Sequence, residues 1–334
     1  GYSHVGTWWP STGASVIGSR IQLNSGAVSA LAGSGTTLYA ATYDPNTGFG
    51  SSTGGSALLV GNVASNGTLT WTDGHVMPSS IGVGVNSLAI GNQAVHASTS
   101  PRGGFSGGNG GVGQGVGLLT LHLANNTWST ASNGLSDDLD GLTWYGNELV
   151  TGLIGGGSGV SGIQIYDPAT DAFVDGGVLG GLPSNTILGL SRTSASDVVH
   201  IATDSGVGRF DRSLDGWDTP ITTVSGLPSN NVEDVVTWFD AAGDENVLLA
   251  TDGGLALWNA SSAQMTATWD EASGLLETSV WGLHRNSTDG TVLLAHDGLG
   301  TSRPGATVLG ASSSAPGGFV IDDTLRFDQC RRTT

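Results

Sequence analysis

An all-β fold is what this sequence predicts, and three observations carry the prediction. Apolar residues fall in short runs of about four to eight, each bounded by glycine, asparagine, aspartate or serine. No segment holds an apolar period suited to a helix. A pattern also recurs every 45 to 48 residues: Gly-Leu at Gly134, Gly181, Gly226 and Gly274, tracked by Ala202-Thr203-Asp204, Ala250-Thr251-Asp252 and Ala295-His296-Asp297. Two landmarks that keep one period mark a repeat architecture.

The clearest unit is "GLPSNNVEDVVTWFDAAGDENVLLATDGGLALWN", from Gly226 to Asn259. Its apolar runs place strands from Val232 to Phe239, Val247 to Thr251, Leu255 to Trp258 and Met265 to Trp269. The turns between them are "DAAGDEN", "DGG" and "NASSAQ". Four strands joined by hairpins make one antiparallel meander. The same template fits upstream: Val28 to Ala30, Leu38 to Thr42, Ala57 to Val60 and Leu69 to Trp71; then Val85 to Ile90, Ala94 to Ala97, Val116 to Leu123 and Thr127 to Ser129. A third unit holds Leu139 to Trp144, Glu148 to Gly152, Ile163 to Tyr166 and Ala172 to Val174. The last is read as Ser279 to His284, Val292 to Ala295, Gly318 to Ile321 and Thr324 to Phe327.

A four-stranded sheet cannot stay soluble alone, because its faces and edges need cover. Sheets packed radially cover one another and leave only short edges. The expected architecture is therefore a β-propeller of six blades, with seven as the alternative, over residues 26–334. Blades are placed at about 26–72, 83–130, 134–175, 181–220, 226–270 and 274–328. Residues 1–25, with "GTWWPST", look like a lone fourth strand that would help close the ring. A β-sandwich is the rival, but it needs no such repeat.

Composition narrows function. Among 334 residues, 28 acids face 10 bases, every base is arginine, and the net charge is -18. Such a surface repels phosphate backbones and anionic lipids, so nucleic acid is excluded as a partner. No apolar run is long enough to span a bilayer. The one cysteine, Cys330, can form no intrachain disulfide. Four Asn-x-Ser/Thr sequons, at Asn66, Asn125, Asn259 and Asn286, together with the acidic composition, suggest an extracellular or cell-surface glycoprotein.

At Gly181 to Asp211 and Gly226 to Asn259 the pattern resembles the two-component regulator propeller repeat. The residues that carry the likeness are Pro183, Asn185, Thr203, Gly206, Phe210 and Asp211 in one unit. In the next they are Pro228, Asn230, Thr251, Gly254, Leu255, Trp258 and Asn259. The last unit keeps Gly274-Leu275 but has Leu276 and Glu277 where Pro and Ser belong. The resemblance implies a blade of an extracellular sensor propeller, a kind of module that in several cases binds carbohydrate. No kinase or membrane segment follows here, so a signalling role is not implied.

In a propeller, the loops that enter each first strand and those between second and third strands share one face. That face is the expected ligand site, collecting Asn185, Asn230, Asp204, Asp252, His296 and Asp297. Amides and carboxylates in a ring suit sugar hydroxyls or a cation, although Asn and Asp in such loops also hold their own turns. Four long inserts, 43–56, 99–115, 153–162 and 298–318, are expected on the same face, with Phe49, Arg102, Phe105 and Arg303 as contacts. "SDDLDG" (136–141) has a partial calcium-loop spacing but begins with Ser136 and has Asn147 at the closing position, so no cofactor is predicted and calcium is only a weak alternative. No nucleophile elbow, zinc helix or phosphate loop is present.

The expected function is a non-catalytic binding or scaffold module for a glycan or protein. One alternative is a carbohydrate-active lyase or hydrolase using His296 or His284. Another is a structural subunit of a surface assembly, the chain being part of something larger.

Overall fold

A computed structural model describes residues 27–43, 57–77, 84–100, 117–132, 139–153, 162–296, 305–312 and 315–326. The segment 1–25 and most of the four inserts lie outside the described residues. Those described form six four-stranded antiparallel sheets, each a meander with its strands in chain order. They are the blades of a β-propeller, and the chain divides into two compact units, Gly1–Leu179 and Gly180–Thr334, with three blades in each.

The first unit holds β1 (Ala27–Ser34), β2 (Thr37–Tyr43), β3 (Ala57–Val63) and β4 (Leu69–Val76), then β5 (Gly84–Gly91), β6 (Ala94–Ser100), β7 (Leu118–His122) and β8 (Thr127–Ala131). Its third blade is β9 (Leu139–Tyr145), β10 (Glu148–Leu153), β11 (Gly162–Asp167) and β12 (Ala172–Leu179). The second unit opens with β13 (Ile187–Ser191), β14 (Val198–Thr203), β15 (Gly206–Asp211) and the short β16 (Gly216–Trp217). It continues with β17 (Val232–Phe239), β18 (Glu245–Thr251), β19 (Gly254–Asn259) and β20 (Gln264–Trp269). It ends with β21 (Gly282–Arg285), β22 (Val292–His296), β23 (Gly305–Ala311) and β24 (Phe319–Arg326).

The last blade differs from the sequence expectation. Its third strand is β23, inside the stretch read as an insert, and the two short strands expected after residue 318 are one continuous β24 paired to it. The run "GATVLGA" carries few large side chains, so its strand character lies in ladder pairing with β22 and β24 rather than in an apolar pattern. Just before β24, Gly317 and Gly318 stand at φ 65° and 77°.

The middle strands show why apolar runs are continuous rather than alternating. In β18 every residue is buried. Val247 and Leu249 join a core with Ala202 and Val207 of the preceding blade, whereas Leu248 and Ala250 join one with Val280, Val292 and Leu294 of the following blade. A strand covered on both faces reads as unbroken hydrophobicity. The first unit follows suit: Leu119 and Leu121 pack toward Tyr39, Ala41 and Leu58, and Leu118 packs toward Leu139, Leu149 and Tyr166.

The repeat landmarks have local causes. Gly226 and Gly274 sit at φ 100° and 102°, each ending a single 3-10 turn capped by Thr222 or Asp270. Only glycine takes that backbone region freely. The leucine that follows, Leu227 or Leu275, is buried as an anchor. The Ala-Thr-Asp landmark is a turn lock: Thr203 Oγ1 donates to Gly206 O at 2.6 Å and accepts from Ser205 N at 3.2 Å. Thr251 repeats this with Gly254 O at 2.7 Å and Gly253 N at 3.1 Å.

Candidate functional site

Within the second unit the first strands of its blades lie side by side, β13 next to β17 and β17 next to β21. Each opens near the mouth end, where the 4–1 and 2–3 connections emerge. The ladder between β17 and β18 slips by one residue at Val232/Asp234, leaving Glu233 unpaired as a β-bulge. A matching slip falls at Ile187/Gly189 in β13, and β1, β5 and β9 in the other unit carry one as well. A bulge re-aims the side chains beside it, and here it sets two acids, Glu233 and Asp234, at the head of one strand.

Asp234 stitches this end together. Its Oδ1 accepts the N–H of Val235 at 2.8 Å, and its Oδ2 accepts the N–H of Leu283 at 2.8 Å. On the other side stands Gly189, where a Cβ would come within 2.9 Å of Asp234 Oδ1. Burial pushes the Asp234 carboxyl up to about 6, while the two N–H donors pull the other way. Glu233 is held by Asn231, whose Nδ2 donates to Glu233 Oε1 at 2.6 Å. Trp281, just before β21, is 48% exposed, and its indole N–H donates to Ser279 Oγ at 3.0 Å. Nearby in sequence, Glu277 is buried, and its Oε1 has no hydrogen-bond partner among the described residues. An exposed indole at the head of a first strand presents an apolar face to a ligand.

Of the residues singled out from sequence, several serve the fold. Asn230 Oδ1 accepts the N–H of Thr223 at 2.7 Å, closing the Gly-Leu turn. Asp204 is exposed and takes the Ser205 hydroxyl at 3.2 Å. Asp252 is exposed, its N–H bonded to Asn231 O at 3.3 Å. Asn185 is exposed at the head of β13. His296, which departs from the repeat, bonds outside the turn that the threonine of its sister units locks. Its ring lies between Ser279 O, 3.0 Å from Nδ1, and Thr307 Oγ1, 2.9 Å from Nε2, and it is 4% exposed. The carbonyl accepts only, so Nδ1 carries the proton and Nε2 accepts from the hydroxyl. Thr307 Oγ1 in turn accepts from Leu276 N at 3.4 Å. Asp297, Arg102, Phe105, Phe49 and Arg303 lie outside the described residues, as does Ser136.

Sequence reasoning missed Glu233, Asp234 and Trp281. The dyad "ED" inside an otherwise apolar strand was the available signal, since a central strand has little reason to carry two acids. The four sequons sit in turns whose asparagine accepts a nearby backbone N–H: Asn66 from Thr68, Asn125 from Thr127, Asn259 from Ser262 and Asn286 from Thr288. Among the described residues no three His, Cys, Asp or Glu side chains form a metal-binding group, and Asp140 of "SDDLDG" turns its Oδ1 to the N–H of Gly141 at 2.9 Å.

Neither a protein-family model nor a curated protein matches the sequence. Solved structures do. The extracellular domain of the hybrid two component system BT3049 from B. thetaiotaomicron is similar over 89% of this chain at 15% identity, TM-score 0.54. The computationally designed Ika8 protein aligns over 91% at 14% identity, TM-score 0.55, and U3-55K over 90% at 14% identity, TM-score 0.60. The likeness is one of fold. This chain spans 36% of the BT3049 chain, against 88% of Ika8 and 82% of U3-55K. Among the described residues no helix is long and apolar enough to cross a membrane.

Proposed function

We propose that this chain is an extracellular, non-catalytic binding module whose second unit takes a neutral saccharide at the mouth end of β17 and β21. The observation that carries this reading is Trp281, a half-exposed indole just before β21, a first strand that Asp234 ties to β17 through the N–H of Leu283. An indole face stacks on the C–H face of a pyranose, and carboxylates accept from its hydroxyls. A net charge of -18 disfavours polyanionic glycans. The likeness to an extracellular two-component domain supports a binding role outside the cell, and the repeat in blades four and five supports membership of the two-component regulator propeller group. With its ring buried and both nitrogens bonded, His296 has no lone pair to offer a substrate.

A glycan array followed by calorimetry on the full chain tests the reading. Trp281→Ala is expected to weaken saccharide binding by about tenfold or more, on the order of a hot-spot loss, with melting unchanged. Wild-type affinity in that variant, or release of a cleaved product, would overturn it.

A further inference from the structure

In an antiparallel meander the first and third strands run the same way. The 1–2 and 3–4 turns therefore leave a blade at one end, and the 2–3 and 4–1 connections at the other. All four sequons fall on the first kind of turn. Asn66 lies between β3 and β4, Asn125 between β7 and β8, Asn259 closes β19 before β20, and Asn286 follows β21 before β22. The 2–3 segments, which are richer in glycine, contain no sequon.

Asn66 and Asn125 are the two exposed members. In each the amide oxygen accepts the backbone N–H of the hydroxy residue two positions on, at 3.0 Å for Thr68 and 3.2 Å for Thr127. Thr127 Oγ1 also donates to the Asn125 amide oxygen at 2.8 Å. This folds the sequon hydroxyl back over the amide while Nδ2 makes no hydrogen bond among the described residues. The turn itself does not require that nitrogen. In the equivalent turns of blades three and four, Asp167 and Asp211 accept the same kind of N–H, from Ala169 and Ser213, each at 2.9 Å.

We propose that Asn66 and Asn125 are N-glycan acceptors, modified at the end of their blades away from the 2–3 and 4–1 connections. The amide nitrogen forms a bond to C1 of a glycan carried on a lipid pyrophosphate. The C1–O bond breaks, the lipid pyrophosphate leaves, and one amide proton passes to a base of the transferase. This inference stands apart from the saccharide-binding reading, because it uses a different end of the blades and different residues.

The test is peptide mapping of the full chain from its native source, deglycosylated enzymatically in heavy-oxygen water so that each modified asparagine becomes a labelled aspartate. Label is expected at Asn66 and Asn125. Thr68→Ala and Thr127→Ala, which keep the backbone N–H that closes each turn, should each lose the label at their own site only, with circular dichroism unchanged. Thr68→Ser should keep it. Both asparagines unlabelled, label confined to Asn259 or Asn286, or label surviving in the alanine variants would overturn the proposal.

Discussion

Asp234 on β17 accepts the main-chain N–H of Leu283 on β21 at 2.8 Å, so one carboxylate ties the first strands of two blades. Truncating it leaves that N–H and the N–H of Val235 without an acceptor in a packed setting. Asp234→Ala is expected to cost about 1–3 kcal/mol by chemical denaturation. Gly189→Ala, which pushes a methyl toward the same carboxylate, should destabilise in the same direction. The carboxyl sits at about 6 against an ordinary 3.8. It is therefore protonated more readily folded than unfolded. Its contribution is fully present below 3.8 and lost as pH rises through 6, a trend that Asp234→Asn should flatten.

Two buried histidines act in the opposite sense. His96 and His200 occupy the same register position of their blades, three residues before Thr99 and Thr203. Burial first, then the nearby His122, lowers His96 to about 4; burial and the charge of Arg209 lower His200 to about 3. Both are neutral when folded and charge when unfolded. Their contribution is complete above the ordinary 6.5 and falls as pH drops toward 4 and then 3, by about 1.4 kcal/mol per pH unit for each. Melting temperature against pH should therefore decline steeply below 6.5. His200→Leu, which copies Leu248 at that position in blade five, should flatten the decline, since His200 has no hydrogen-bond partner among the described residues to lose.

The glycines of blade five should rank by what surrounds them. Gly243, at φ 88°, has open space around it, so alanine there should cost only about 1 kcal/mol of backbone strain. Gly226 adds contact with Met265, at 3.3 Å from a Cβ. Gly254, at φ 128°, would drive a Cβ into the carbonyl oxygen of Trp269. Thermal melts should order the variants Gly243→Ala, Gly226→Ala, Gly254→Ala from mildest to most severe, the last losing about 3 kcal/mol or more.

Turn locks offer a further comparison. Thr251→Val keeps the shape and removes the hydroxyl that serves Gly253 and Gly254, for an expected loss of about 1–2 kcal/mol. His296→Ala should cost at least as much, because it strands the Thr307 hydroxyl and the Ser279 carbonyl together. Saccharide binding by the folded His296→Ala protein is expected to persist. Loss of binding with unchanged melting would return His296 to the site.

Much of the fold was legible because each repeat landmark is enforced locally. A glycine at positive φ, a threonine closing a four-residue turn and an asparagine or aspartate closing the next are short-range demands, so they print directly into the sequence. Where a strand lacks them the sequence gives no mark: β23, built of small residues between β22 and β24, has the composition of a loop. The candidate site was harder. Asn230 and His296 stand out in the alignment of repeats, yet Asn230 closes a turn and His296 bonds Ser279 O and Thr307, whereas Glu233, Asp234 and Trp281 carry no repeat signature.

By itself, then, the sequence determined the blade: where its strands begin, how its turns close and why its middle strands are apolar throughout, since these rest on neighbours within about four dozen residues. Only the tertiary structure decided what the polar residues do. A carboxylate on β17 meets an amide on β21 because two blades pack side by side, and a buried imidazole finds its partners 11 and 17 residues away. Such pairings depend on packing between strands rather than on spacing along the chain, and residue order alone does not encode them in any readable period.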